Sequence, residues 1–81
     1  MTLHIQLIDR EGALERLLGT CRRRGLRLLA LNADAAESGL RLRVTLDLGT
    51  TDPSRALALL HRIHDIQQIT PIDHHATAHA A

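Results

Sequence analysis

One stretch in the middle of the chain leaves little freedom of local structure. Leu40, Leu42, Val44, Leu46 and Leu48 alternate without error against Arg41, Arg43, Thr45 and Asp47. Side chains on a strand point to opposite faces in turn, so this pattern buries one face and leaves the other wet or partnered. Such one-sided burial is the habit of an antiparallel sheet.

Weaker signals on either side fill in the rest. Met1–Ile8 also alternates, with Leu3, Ile5 and Leu7 against Thr2, His4 and Gln6, and predicts a first strand. Asp9-Arg10-Glu11-Gly12 makes a polar turn in which Asp9 or a neighbour is placed to cap a helix. The helix is expected over 11–24, with Leu14, Leu17, Leu18 and Cys21 on one face. Arg22-Arg23-Arg24 suits the negative end of its dipole, and Gly25 is a natural residue just past its end. Leu26–Ala36 is expected as a strand apolar on both faces, with Leu26, Leu28 and Ala30 on one side and Leu29, Leu31 and Ala33 on the other. Glu37-Ser38-Gly39 then turns the chain. Asp52-Pro53 predicts a capped second helix to about His64, burying Ala56, Leu59, Leu60 and Ile63. Ile66–Asp73 completes the set as a weaker strand, which Pro71 places at a sheet edge or at a bulge.

The order β-α-β-β-α-β predicts an α+β, ferredoxin-like domain: two helices on one face of a four-stranded antiparallel sheet. Right-handed crossovers give strand order 4-1-3-2. Residues 1–73 form the domain and 74–81 an Ala-rich tail. The strand over 26–36 then lies at an edge, where an apolar strand is a liability unless covered. Leu29, Leu31 and Ala33 are therefore expected at a homodimer contact.

Eighty-one residues are enough for one small core, and small domains commonly gain support from disulfides, metals or self-association. Cys21 is the lone cysteine, which removes disulfides, zinc knuckles and CxxC redox chemistry. A net charge of +1 gives no global field for nucleic acid, and the absence of Phe, Tyr and Trp removes a stacking platform. Neither a signal peptide nor a membrane span is legible, so a cytoplasmic protein is expected.

Four constellations remain. His61 and His64 share a helical face, and His74, His75 and His79 follow, but no carboxylate or thiol completes a metal set at diagnostic spacing. Arg22, Arg23 and Arg24 with Arg27 could contact phosphate, but complementing the helix dipole is favoured, with an acidic patch on a partner as the middle reading; Arg41 and Arg43 are further partner-binding candidates. No nucleophile motif or P-loop is present, so no catalytic residue is assigned. Gly12, before a helix, lets a ligand approach backbone N–H groups.

The run Gly12–Leu31, G-A-L-E-R-L-L-G-T-C-R-R-R-G-L-R-L-L-A-L followed by Asn32-Ala33, resembles ACT-domain small regulatory subunits of acetolactate (acetohydroxyacid) synthase. It is most similar to the short isozyme II type, with its L-E-R-x-L…R-x-R-G…N run. The resemblance implies a non-catalytic subunit that binds and activates a catalytic large subunit in branched-chain amino-acid (valine, leucine, isoleucine) biosynthesis. Thiamine diphosphate, FAD and magnesium belong to that partner, and this chain carries no cofactor of its own. The resemblance also implies an amino-acid effector site at Asp9, Glu11, Gly12, Ala13 and Leu14. Valine-sensitive relatives have Asn two residues after the Arg-Gly pair, where this chain has Arg27, so weak or absent valine sensitivity is expected. A free-standing amino-acid-sensing protein with another client and a His-based metal-binding module are the alternatives.

Overall fold

The computed structural model describes residues 1–72. Six elements follow in the expected order: β1 (Thr2–Ile8), α1 (Ala13–Arg23), β2 (Arg27–Ala36), β3 (Gly39–Asp47), α2 (Pro53–His61) and β4 (Ile66–Ile72). The strands form one antiparallel sheet ordered β2-β3-β1-β4, the ferredoxin-like arrangement, with β2 and β4 at the edges. Pro71 lies on edge strand β4, where its missing N–H costs no central ladder bond.

The alternation in β1 and β3 builds the core. Leu3 pairs with Val44, Ile5 with Leu42 and Leu7 with Leu40, so their side chains share the helix-covered face. Leu3, Ile5, Leu7, Leu42, Val44 and Leu46 are buried there, against Ala13, Leu17 and Cys21 of α1 and Ala56 and Leu60 of α2. Leu14 and Ile63 pack at the margin of this cluster. Leu18 is half-buried and flanks it.

Both helices begin a little differently from one another. Asp52 caps α2, accepting from the Ser54 N–H at 3.1 Å and the Ser54 hydroxyl at 2.6 Å, with Pro53 in the first turn. These bonds hold the Asp52 carboxyl below its ordinary value. At α1 the N-cap is Gly12, with φ 80°, and no side chain caps it. Asp9 is therefore not the cap. The Ala13 N–H instead reaches the Arg10 carbonyl at 3.0 Å, a backbone turn that only a residue tolerant of positive φ closes cheaply.

The end of α1 follows the sequence closely. Gly25 has φ 75°, its N–H reaches the Arg22 carbonyl at 3.2 Å, and the Leu26 N–H reaches Cys21 at 2.8 Å. This is the Schellman closure, with buried Leu26 and Cys21 supplying its apolar contact. Helix α2 stops at His61, short of the expected His64. The N–H groups of Arg62 and Ile63 bond three residues back, to Leu59 and Leu60, and this tightened turn delivers Ile66 to β4.

β2 departs most from expectation. A bulge between Leu28 and Ala30 leaves Leu29 without a partner on β3. The extra residue reverses the side-chain parity, so Leu28, Leu31 and Ala33 share the helix-side face and Ala30 joins Asn32 on the open face. The expected grouping of Leu28 with Ala30, and of Leu29 with Leu31 and Ala33, is thereby corrected. Leu26 is buried just before the strand, not within it.

Candidate functional site

Edge strand β2 has β3 as its one neighbour among the described residues. Its outer row of N–H and C=O groups is available to another strand. Leu28 and Leu29, 40 % and 57 % exposed, are the exposed large hydrophobic residues among those described. Leu31 is half-buried against the core, whereas Ala33 is exposed. Beside the start of β2 lies an apolar hollow of about 450 Å³ lined by Leu18, Cys21, Leu26 and Leu28, with Arg22 and Arg27 at its rim. Burial pushes the Cys21 thiol up, which keeps it neutral and a packing residue.

The turn from β1 into α1 is at the opposite end of this edge. β1 and β2 both run antiparallel to β3, so Ile8 and Ala36 both meet Gly39. Asp9, Glu11, Gly12, Ala13 and Leu14 therefore lie at the end of the sheet where β2 finishes. Arg27 lies where β2 starts, opposite Asp47 and roughly 30 Å along the strand. One protomer does not bring Arg27 to the other proposed effector residues. Asp9 and Glu11 are exposed, Leu14 is half-buried, and Ala13 is sealed in the core. A Cβ placed on Gly12 would come within 2.9 Å of the Arg16 guanidinium, so that side chain lies directly over the turn.

Arg16 leads to a cluster that the sequence did not single out. The Asp65 side chain is 4 % exposed and accepts from Arg16 Nε at 2.6 Å, while Arg10 stands 3.6 Å away. Arg16 Nη2 also donates to the Glu11 carbonyl at 3.2 Å, and the Ile8 N–H reaches the Asp65 carbonyl at 2.8 Å. The Arg16 hydrogen bond, then the charges of Arg16, Arg10 and His64, outweigh burial and hold the Asp65 carboxyl below its ordinary value. Arg16 is raised by the same bond. This clamp ties the first turn of α1 to the entry of β4 and fixes the shape of the turn over 9–12.

The open face of the sheet forms a shallow concavity of about 690 Å³, lined among others by His4, Gln6, Asn32, Asp34, Arg41 and Arg43. Arg41 and Arg43 stand exposed on it, opposite Asp34 and Asn32 of β2. Arg22, Arg23 and Arg24 are exposed at the end of α1, but they diverge. Arg22 borders the apolar hollow beside β2, while Arg23 and Arg24 face the seam between the helices.

His61 ends α2 and His64 lies in the following turn, so the two are not one helical turn apart on a shared face. No three His, Cys, Asp or Glu side chains converge on a metal-sized site among the described residues. His74, His75 and His79 lie outside the described residues, as does Asp73. No helix among the described residues is long and apolar enough to cross a membrane. Comparison with protein-family models, curated proteins and solved structures finds no match to this chain.

Proposed function

We propose that the chain is a non-catalytic, ACT-type regulatory subunit that pairs with a second copy through β2 and activates the catalytic subunit of acetolactate synthase. The observation that carries the reading is the β2 edge: a strand of ten residues, paired on one side only among the described residues, that bears Leu28 and Leu29 on a ferredoxin-like sheet. Two-fold antiparallel pairing of β2 with its copy extends the sheet and covers both leucines. It also sets the start of one strand beside the end of the other. A second copy's Arg27 then arrives at the end of the sheet where Asp9–Leu14 lie, completing between two chains the set that one chain leaves apart.

The likeness of Gly12–Ala33 to acetolactate synthase small subunits supports the choice of client. Cofactor chemistry stays with the catalytic chain, which carries thiamine diphosphate, FAD and magnesium. Activation works by population shift: the subunit binds the competent form of the catalytic chain more tightly than the slack form. Arg27, a long cation in the effector wall, disfavours the close packing of a small aliphatic amino acid, so valine inhibits weakly or not at all.

Co-elution with the catalytic subunit on gel filtration tests the reading, with thermal melts of this chain alone in each of the proteinogenic amino acids alongside. A shared peak supports the synthase reading. Separate elution combined with a raised melting midpoint in one amino acid overturns it in favour of a free-standing sensor.

A further inference from the structure

We propose that the groove along the seam of the two helices is a docking site for an acidic, amphipathic segment of a partner protein. The groove holds about 520 Å³ and is lined by Arg10, Arg16, Arg23, Arg24 and Arg62. Asp65 is the one carboxylate in its wall, and it already sits between Arg16 and Arg10. Five arginines and one aspartate leave four positive charges in the formal count, which leaves histidines out, in a chain whose whole net charge on the same count is +1. The rest of the chain therefore sums to a net negative charge, although Glu15 lies close enough to Arg16 to act on it.

Helix dipoles explain part of this pattern, since Arg23, Arg24 and Arg62 stand at C-terminal ends. Arg10 and Arg16 lie at the beginning of α1, where the dipole disfavours positive charge, and Asp65 holds them there. Two of the arginines are also held in place. Asp65 and the Glu11 carbonyl fix Arg16. The Thr20 hydroxyl, itself donating to the Arg16 carbonyl at 2.8 Å, accepts from Arg23 at 3.2 Å. Fixed guanidinium groups lose less freedom on meeting carboxylates.

Leu59 and Ile63 line the same groove between the arginines. An apolar strip flanked by cations matches a segment with carboxylates at its edges and leucine-like side chains along its middle. A nucleic-acid backbone would leave that strip unused, and the chain has no aromatic residue for a base to stack on. The chain's own last residues, His74–Ala81, contain no Asp or Glu and do not supply such a segment.

The test uses this chain alone, so its failure leaves the synthase reading standing. Fluorescence anisotropy follows a labelled peptide with Glu and Leu at helical spacing, a poly-Glu peptide of equal length and a single-stranded DNA oligonucleotide. The Glu/Leu peptide is expected to bind most tightly and to weaken with salt. Arg24→Glu or Arg62→Glu weakens it about tenfold, whereas Arg55→Glu, an equal charge change at the first turn of α2, weakens it less than about threefold. Because a Glu at a helix C-terminus also opposes the dipole, the double variant R24Q/R62Q serves as a second probe, with a loss of about threefold or more expected. Equal losses for Arg55→Glu and Arg24→Glu reduce the effect to a diffuse field and overturn the proposal. Tighter binding of the oligonucleotide than of the Glu/Leu peptide overturns it in favour of nucleic acid. Absence of binding at low salt overturns it outright.

Discussion

A carboxylate almost sealed from solvent needs cations around it, and Asp65 has Arg16 and Arg10. Its lowered pKa means that folding holds the carboxylate ionised. The stability it contributes is fully present above the ordinary carboxylate range and is lost as pH falls through the lower, folded-state value. Thermal melts of wild type and Asp65→Asn from pH 7 to pH 3 check this. The variant is expected to melt lower at pH 7 and to lose less on acidification; parallel pH profiles would contradict it. Asp52 has a shift of the same sign and contributes equally in both proteins. Two glycines give opposite expectations. At Gly39, with φ 153°, a Cβ would press into the Leu7 carbonyl oxygen, so Gly39→Ala should cost about 2–4 kcal/mol in denaturant melts. At Gly19, inside α1, a Cβ meets only the far end of the Arg23 side chain at 3.3 Å, which can give by a few tenths of an ångström, and Gly19→Ala should add about 0.5–1 kcal/mol. Asp65 was not legible in the sequence because its partner Arg16 is 49 positions away, and no local spacing marks such a pair.

Among the elements, β2 carries the claim of self-association, and the bulge at Leu29 decides which residue tests it. Leu29→Glu places a charge on the exposed edge without touching the core. Sedimentation should change from associated to monomeric while the monomer's unfolding midpoint is kept. Leu31 packs against the core, so Leu31→Glu should cost both association and folding stability. An unchanged sedimentation profile for Leu29→Glu would remove the β2 interface. The elements themselves were largely legible. Alternation fixed β1 and β3, Asp52-Pro53 placed the start of α2, and Gly25 marked the end of α1, because each is a local rule acting on neighbouring residues. The bulge was not legible, since every residue around Leu29 is apolar and a shift of parity leaves no mark in such a run. The start of α1 was misplaced for a related reason: Gly12 caps through its backbone, which no side-chain preference signals.

At the scale of the whole molecule, a core of Leu, Ile, Val and Ala in so short a chain leaves a small margin of stability, and no disulfide adds to it. The proposed pairing through β2 would link folding to concentration, so the thermal midpoint of wild type should rise with protein concentration and that of Leu29→Glu should not. The effector set that the resemblance implies is not brought together in one chain, because Arg27 and the turn over 9–14 stand at opposite ends of the sheet. The proposed pairing would remove that separation and place regulation at the level of the assembly. The most direct measurement is acetolactate formation by the catalytic subunit of the same organism, titrated with this chain and with Leu29→Glu, and then challenged with valine. The account predicts a saturable rise in rate with wild type, a weaker rise with the variant, and little response to valine. A rate unchanged at saturating wild-type chain would contradict it.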